Sequence, residues 1–382
     1  MGRTLVITND FPPRPGGIQT FGYEIARRFD PTSVTVLTST WEGAAEFDAA
    51  QDFKIIRAQT QTLLPSKSTL AMAREIVVAE NITRVLFGAA APLGLLASPL
   101  RKLGVKNIVG MTQGHETGWA MTPGTRQALR KIGNDTDYLT YISEYTHQKI
   151  AKALSPDAAA RMRRIVPGVD VTEFSPANAS AGDQLRTELG WLDRPVIVCV
   201  SRLMARKGQD ELIRALPQVH RTAPNASLII VGEGPYRKDL ERLITKLGLA
   251  EFVHLTGKVS QKELPNWYAS GDIFAMPCRT RMGGWDVEGL GIVFLEGSAT
   301  GLPVIVGDSG GAIDAVVDNE TGYLVDGNNT GEIAQRISFL ISNPDVAKRM
   351  GGAGRNWVTQ EWTWDQNFKK LDGLLSGQDF PD

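Results

Sequence analysis

Two glutamates enclose a glycine-rich stretch in the segment EGLGIVFLE, residues 288–296. On one continuous helix, carboxylates eight residues apart would lie roughly 80° apart and about 12 Å along the axis, too far for one acid–base pair. The glycines also disfavour a helix interior. We therefore expect Glu288 in a loop and Glu296 in the second turn of a helix that runs from about Gly291 to Thr300.

This stretch offers several groups that suit a sugar nucleotide. Backbone N–H groups at a helix start can hold phosphate and sugar hydroxyls, and glycine has no side chain to block the approach. Glu288 would accept hydrogen bonds from a sugar, and Glu296 would accept them from the two hydroxyls of a ribose. The N–H groups belong to Gly289, Leu290, Gly291 and Ile292.

Two cations follow another apolar run. Arg202 closes PVIVCVSR, and Lys207 comes five positions later, at the start of KGQDELIRALPQV. Cations at a strand end and beside a helix N-terminus make an anion site that fits a diphosphate, although solvated surface charges give the same pattern. We place Arg206, the neighbour of Lys207, in the same site.

Two candidates lie in the N-terminal half. Gly16 and Gly17 follow the first apolar run and open a helix, so a ligand can approach the backbone, although a tight turn alone would also explain them. His115, in TQGHETG, follows the run 107–112 at the expected carboxyl end of a strand.

Three other motifs were weighed against these. GDSGG at 307–311 fits a hydrolase nucleophile elbow, but no histidine follows Ser309. VGEGPYRKD lacks the third glycine of a dinucleotide fingerprint. Asp135-Thr136-Asp137 has the D-x-D form that binds Mn²⁺ or Mg²⁺ in some sugar transferases, but its place between a helix and a strand favours a simple boundary. We expect no cofactor and no metal requirement.

The bulk composition indicates a soluble enzyme of two domains. The chain has 382 residues, 42% apolar and 22% charged, and its net charge of −1 gives no indication of a nucleic-acid partner. Cys199 and Cys278 lie in or beside apolar runs, as buried thiols of a reducing compartment do. The apolar run TLVIT directly follows MGR, without a signal-peptide h-region, so we expect a cytoplasmic protein.

Apolar β-rich runs alternate with helical patterns in two series, which predicts two doubly wound α/β domains with parallel sheets. We place the domains at 1–168 and 169–361, with a helix at 362–382 packing back on the first and a ligand cleft between them. The runs are 4–8, 33–39, 53–58, 84–89, 107–112 and 137–143, then 195–201, 227–234, 252–257, 272–277, 303–308 and 322–325.

The sequence resembles the retaining glycosyltransferases of GT-B fold, the large family-four group. The resemblance runs nearly the whole chain, and within the group it is greatest to the GDP-mannose-dependent phosphatidylinositol-mannoside mannosyltransferases. The segments that carry it are PPRPGGIQTF, ISEYT, VPGVDVTEFSP, VSRLMARKGQDELIRAL, IIVGEGP, EGLGIVFLEGSATGLPVI and NETGYLV.

This resemblance implies a role for each site residue. It implies Arg202 and Lys207 on the diphosphate, Glu288 on the sugar, Glu296 on the ribose, Gly17 near the phosphates, and backbone contact to the base at Lys258 and Val259. One departure is GGAID, which lacks the Pro that many relatives have after Gly-Gly-x and carries Asp314 where they have Glu, so the geometry of that loop is in question.

The resemblance also implies retaining transfer of mannose from GDP-mannose to a phosphatidylinositol mannoside. Arg202, Lys207 and the helix start near Gly291 would offset the charge on the leaving diphosphate. We expect same-face attack, with the leaving phosphate taking the acceptor proton and His115 steadying the sugar cation. A different sugar nucleotide with a soluble acceptor, a sugar-nucleotide epimerase or hydrolase, and a two-lobed binding protein remain alternatives.

A basic region points to the membrane. Residues 101–164 hold 11 Lys and Arg against 5 Asp and Glu. Within it, Arg126, Arg130 and Lys131 cluster near apolar residues, which predicts a face for anionic lipid on the inner side of the plasma membrane, or else a solvated basic surface. The apolar residues are Trp119, Met121 and Leu129.

Overall fold

The computed structural model describes residues 2–380 and divides them into two compact units. The first unit comprises the chain up to Pro167 together with the segment from Trp364 onward, and the second comprises Gly168–Thr363. The predicted boundaries after residues 168 and 361 lie one and two residues away from these divisions.

The first unit contains a parallel sheet of seven strands within the described residues, in the order β3-β2-β1-β4-β5-β6-β7. Six of these strands are the predicted ones. The seventh, β7, was not predicted, because three residues with the sequence MRR give no apolar pattern. The strands are β1 Arg3–Thr8, β2 Val34–Ser39, β3 Lys54–Ala58, β4 Ile82–Phe87, β5 Asn107–Met111, β6 Tyr138–Tyr141 and β7 Met162–Arg164.

Helices cover this first sheet. They are α1 Gly17–Ala26, α2 Ala44–Ala49, α3 Lys67–Ala79, α4 Ala97–Arg101, α5 Glu116–Met121, α6 Pro123–Asp135, α7 Glu144–Ala151 and α8 Pro156–Ala160, with a 3₁₀ turn at Leu93–Leu96.

The second unit repeats the arrangement with six strands, ordered β10-β9-β8-β11-β12-β13. All six were predicted, and β8 and β9 are buried along their whole length, which accounts for their uninterrupted apolar runs. The strands are β8 Val196–Val200, β9 Ser227–Val231, β10 Val253–Gly257, β11 Ile273–Met276, β12 Val304–Gly307 and β13 Gly322–Val325.

Helices also surround the second sheet, and short 3₁₀ turns follow several of its strands. The helices are α9 Ala179–Glu188, α10 Gln209–Val219, α11 Arg237–Leu247, α12 Leu264–Ala269, α13 Ile292–Ala299, α14 Thr330–Ser342 and α15 Pro344–Glu361. The 3₁₀ turns are Pro176–Asn178, Ala205–Lys207, Met282–Gly284 and Gly310–Ala315.

Both sheets have the strand order of a dinucleotide-binding fold, in which the chain starts at a central strand and later reverses direction. The reversal lies between β1 and β4 in the first unit and between β8 and β11 in the second. Loops at the carboxyl ends of these strand pairs diverge, and ligands of such sheets bind there.

The last helix, α16 Trp364–Leu375, returns to the first unit. Leu371 and Leu375 are fully buried, and Arg84 of β4 forms an ion pair with Asp372 at 2.9 Å. The predicted helix at 362–382 was too long at both ends, and positions 381 and 382 lie outside the described residues.

Both cysteines lie in the interior of the second unit. Cys199 and Cys278 are buried free thiols, and burial raises the pKa of Cys199 to about 12. Between residues 2 and 380, the chain forms no helix with both the length and the apolar character needed to cross a bilayer.

Candidate active site

The predicted donor-site residues of the second unit meet at its strand reversal. Arg202 lies two residues after β8, and Glu288 lies in the long loop that follows β11, the strand beside β8 in the sheet. Topology therefore brings together residues that are 86 positions apart in the sequence.

The centre of this site is an ion pair between Lys207 and Glu288. The distance from Lys207 Nζ to Glu288 Oε2 is 2.5 Å, and the two side chains are only 11% and 10% exposed. Because an ammonium group has three donors, Lys207 can keep this contact and still bind a phosphate oxygen. The diphosphate role predicted for Lys207 and the sugar role predicted for Glu288 thus belong to two residues that form one ion pair.

The sequence predicted that Lys207 opens the helix, and this prediction was wrong. Lys207 ends the 3₁₀ turn Ala205–Lys207, and α10 begins only at Gln209, after Gly208. Gly208 has φ 76°, and a Cβ there would lie 2.0 Å from the carbonyl oxygen of Pro277. The close approach requires glycine and turns Lys207 towards Glu288.

Residues of the motif GDSGG form hydrogen bonds with the backbone of Glu288. The backbone N–H of Glu288 donates to Ser309 Oγ at 3.3 Å, and the N–H of Gly311 donates to the carbonyl oxygen of Glu288 at 2.8 Å. Gly310 has φ 57°, and a Cβ there would lie 2.3 Å from that carbonyl oxygen. Ser309 is buried, so the motif positions Glu288 and provides no exposed nucleophile.

Arg202 and Arg206 differ in their surroundings. The Arg202 side chain is exposed and contacts no hydrogen-bond or ion-pair partner among residues 2–380, so it is available to an anionic ligand. Its carbonyl oxygen accepts a 3.1 Å hydrogen bond from the buried side chain of Gln209, which sequence reasoning missed. Arg206 lies 3.6 Å from Asp286 and therefore faces the loop before Glu288.

The glycine-rich turn before α13 has the predicted form. Gly291 caps the helix with φ 82°, a left-handed conformation, and the helix begins at Ile292. This places the N–H groups of the first turn beside Glu288, as expected for a site that binds oxygen atoms. Gly289 and the buried Leu290 complete the turn.

Glu296 lies in the second turn of α13, as predicted, and has a partner that the sequence did not indicate. The buried hydroxyl of Tyr268 donates to Glu296 Oε2 at 2.5 Å. Burial raises the pKa of Glu296 from 4.5 to about 7, with the Tyr268 hydrogen bond opposing the shift and Glu173 adding to it. Its protonation state therefore changes near neutral pH.

The predicted base-binding residues Lys258 and Val259 follow β10 directly, and neither is buried. Strand β10 is an edge strand of the second sheet, next to β9 and two strands away from β8. An antiparallel bridge between Gly232 and Gly257 links the carboxyl ends of these two strands. The backbone at 258–259 is thus held at the same edge of the sheet as Arg202.

In the first unit, the glycine pair lies at the carboxyl end of β1. Gly16 has φ 146° and caps α1, and Gly17 is its first residue. A Cβ at Gly17 would meet no heavy atom within 4 Å, so this backbone is open to a ligand. Gln19, in the first turn, donates to Asp10 Oδ1 at 2.7 Å and fixes the loop that leads from the strand.

His115 caps α5 after β5, and its neighbour Glu116 was missed by sequence reasoning. The His115 side chain is 41% exposed, whereas Glu116 is fully buried with Oε1 at 3.4 Å from His115 Nε2. Glu116 Oε2 accepts a hydrogen bond from the N–H of Gln113 at 2.9 Å. Burial raises the pKa of Glu116, and His115 partly opposes that shift.

The basic residues of α6 that were predicted to face lipid are all exposed. Arg126 donates to the carbonyl oxygen of Lys152 at 2.6 Å, and Lys131 pairs with Asp135 at 2.8 Å, while Arg130 is exposed on the same helix. Of the apolar residues near these cations, Leu129 packs in the core and Trp119 packs against it, partly buried. Met121 remains exposed.

The carboxylates of Asp135-Thr136-Asp137 are engaged by cations. Lys131 contacts Asp135, and Arg101 contacts Asp137 at 2.9 Å. In the part of the chain that the structure describes, no three His, Cys, Asp or Glu side chains lie together as a metal site would require.

Known proteins match this chain along its length. The sequence profile of glycosyl transferases group 1 matches residues 183–357. The GDP-mannose-dependent alpha-(1-6)-phosphatidylinositol monomannoside mannosyltransferase of Mycolicibacterium smegmatis is 45% identical over 381 residues, 98% of either chain. The Corynebacterium glutamicum GDP-mannose-dependent monoacylated alpha-(1-6)-phosphatidylinositol monomannoside mannosyltransferase is 43% identical over 379 residues, again 98% of either chain. The chain belongs to this glycosyltransferase family.

A solved structure confirms the fold class. HepE from Anabaena, crystallised in complex with UDP, superposes with a TM-score of 0.81 at 19% identity, covering 98% of this chain and 100% of HepE. The two Rossmann-like units are thus those of a GT-B glycosyltransferase, as the sequence predicted. Membership of an enzyme family sets aside the alternative of a two-lobed binding protein, while the roles of individual residues stay predictions.

Removing Lys207 is expected to cost stability as well as turnover. Lys207→Ala leaves the buried Glu288 carboxylate without its cation, which should lower the free energy of unfolding by about 3 kcal/mol. Arg202→Ala removes an exposed cation and should change it by less than about 0.5 kcal/mol. Urea unfolding of both variants, followed by tryptophan fluorescence, makes the comparison. Equal stability of the two variants would contradict the structural importance of the pair.

Donor affinity is expected to depend on pH through Glu296. The predicted contact of Glu296 with the two hydroxyls of a ribose is stronger when the carboxyl group is ionised, so affinity for a sugar nucleotide should rise with pH and level off above about pH 7. Because the folded protein keeps this proton up to a higher pH than the unfolded chain, Glu296 also lowers stability as pH rises from 4.5 to about 7.

Calorimetric titrations with GDP-mannose between about pH 5.5 and 8.5 test this dependence, since its diphosphate is esterified at both ends and does not titrate near neutral pH. Glu296→Gln, which cannot titrate, is the matched control and should bind with nearly constant affinity. An equal pH dependence in both proteins would assign the titration to another group.

Proposed function

We propose that this protein transfers mannose from GDP-mannose to a phosphatidylinositol monomannoside lipid, with retention of configuration and without a metal ion. Relatives named for this reaction are 43–45% identical over 98% of their length. The observation that carries the proposal is the donor-type site at the strand reversal of the second unit, where Lys207 pairs with Glu288 and Arg202 follows the carboxyl end of β8.

The donor side of the mechanism uses one cation that is paired and one that is exposed. Lys207 is held by Glu288 and is therefore preorganised, whereas the exposed Arg202 is free to close on the diphosphate. Departure of the diphosphate builds negative charge on its oxygen, which fixed donors stabilise without reorganisation. The N–H groups at the start of α13 add to this charge stabilisation.

Glu288 serves the sugar. Its carboxylate is paired with Lys207 and can accept hydrogen bonds from mannose hydroxyls. The backbone contacts from Ser309 and Gly311 fix its position along the loop. We assign it to orientation of the sugar rather than to nucleophilic attack.

The transfer step follows the same-face route. The bond between the anomeric carbon and the diphosphate oxygen breaks, and the acceptor hydroxyl oxygen bonds to that carbon on the same face. The leaving phosphate takes the acceptor proton, so no protein base is required. His115 is assigned to steady the cationic sugar, and Glu116 to hold the His115 ring.

The acceptor is a membrane lipid, so we assign the protein to the inner face of the plasma membrane as a peripheral enzyme. The exposed cations Arg126, Arg130 and Lys131 of α6 are assigned to anionic headgroups. Such contacts depend on the anionic lipid fraction and weaken with salt.

Mannose transfer from labelled GDP-mannose to phosphatidylinositol monomannoside in mixed micelles is expected to proceed in the presence of EDTA. Arg202→Ala should lower kcat on the order of 100-fold, because it removes one charge-stabilising donor. Phosphatidylinositol without mannose and UDP-glucose serve as acceptor and donor controls. Release of free mannose at the same rate without acceptor would identify a hydrolase instead.

Glu116 is expected to act only through His115. His115→Ala should lower kcat on the order of 100-fold, and Glu116→Gln should lower it about tenfold at an unchanged KM for GDP-mannose, because an amide replaces the carboxyl group that lies 3.4 Å from the ring. In the His115→Ala background, Glu116→Gln should have little further effect, as a double-mutant cycle would show. Additive losses would mean that Glu116 has a role independent of His115.

A further inference from the structure

An exposed loop in the second unit carries two large apolar side chains. Met282 is 73% exposed and Trp285 is 62% exposed, which makes Trp285 the most exposed aromatic residue within 2–380. The loop, residues 281–286, follows β11 and ends two positions before Glu288. We name residues 281–286 the tip loop.

The backbone of the tip loop is built to present these side chains outward. The N–H of Arg281 donates to the carbonyl oxygen of Asp286 at 2.9 Å, which closes the loop at its base. Gly283 and Gly284 have φ values of 63° and 96°. Met282 itself adopts φ 51°, a left-handed conformation that is unfavourable for a residue with a Cβ.

Ion pairs hold the base of the loop. Asp286 lies 3.6 Å from Arg281 and 3.6 Å from Arg206, so it links the tip loop to the 3₁₀ turn that contains Lys207. The loop is therefore anchored beside the donor site, while its apolar side chains contact little of the protein. Its own formal charge is zero, from Arg281 and Asp286.

The amount of apolar surface favours a lipid layer over a protein partner. An aromatic side chain buries roughly 150–250 Å², so the two exposed side chains offer far less than the roughly 800 Å² that each partner of a stable protein interface buries. Tryptophan also concentrates where a bilayer meets water. The aliphatic stem of Arg281 can lie along the same boundary with its charge in the headgroups.

We propose that the tip loop inserts Met282 and Trp285 into the surface of a lipid bilayer and holds the donor site of the second unit at the membrane. The inference deepens the proposed function, since it rests on a lipid acceptor, and it adds a membrane contact of a different kind. Contact by α6 would be electrostatic, whereas contact by the tip loop, whose net charge is zero, is hydrophobic and insensitive to anionic lipid.

Partition into vesicles of pure phosphatidylcholine tests this contact without any substrate. The double variant Met282→Ser/Trp285→Ser should bind on the order of tenfold more weakly than the wild type, at low and at high salt. Leu192→Ser is the matched control and should bind normally. Leu192 is 48% exposed in the same unit but precedes β8, at the opposite edge of the sheet.

A contact readout accompanies the partition. Brominated phosphatidylcholine should quench a component of the tryptophan fluorescence that is missing in Trp285→Phe, a variant that keeps most of the membrane affinity. Unchanged partition of the double variant at an unchanged melting temperature, or quenching equal in wild type and Trp285→Phe, would overturn the proposal. A wild-type dimer that the double variant abolishes would assign the loop to a second copy and also overturn it.

Transfer assays separate this inference from the proposed function. On acceptor in vesicles, the double variant should raise the KM for lipid at an unchanged kcat and an unchanged KM for GDP-mannose. Absence of mannose transfer by a wild type that still binds vesicles through Trp285 would refute the acceptor or the donor. If the double variant transferred mannose normally and bound vesicles as the wild type does, only the role of the tip loop would be refuted, and the proposed function would stand.

Discussion

The order of the strands in the second sheet is the constraint on which the site depends. Strands β8 and β11 are neighbours in the sheet, so the loops that follow them begin side by side at its carboxyl edge. A cation from one loop and a carboxylate from the other can therefore pair there. The Lys207–Glu288 pair then fixes both loops. Gly208 and Gly310, each in a left-handed conformation against a carbonyl oxygen, permit the close approach that this requires.

The two carboxylates of the site, Glu288 and Glu296, differ in how their charge is controlled. A buried ion pair gains little net stability over an apolar pair, because desolvation of the two charges opposes their attraction. What it provides here is position, since the Lys207 charge and the Glu288 acceptor are both aimed before any ligand arrives. Glu296 differs in kind, because its elevated pKa makes its charge depend on conditions near neutrality. The charges proposed to contact the phosphates and the sugar are thus fixed before a ligand binds, whereas the charge proposed to contact the ribose depends on pH.

The sequence predicted most of the fold, because strands buried on both faces are nearly pure apolar runs, as in β8 and β9. It missed β7, which is short and charged, and it extended the last helix too far. Residues at strand ends were located well, since alternation of strands and helices fixes those positions. Partners distant in sequence were not, and nothing in the sequence indicates that GDSGG contacts Glu288, because that contact exists only in three dimensions.

The return of α16 to the first unit makes the second unit an insertion within the first. During synthesis, residues 168–363 form a continuous stretch and can fold as soon as they leave the ribosome, whereas the first sheet waits for Trp364–Leu375 to cover it. Arg84 of β4 finds Asp372 only then, 288 residues later. A chain that ends before Trp364 would therefore leave exposed the apolar surface of the first unit that α16 covers.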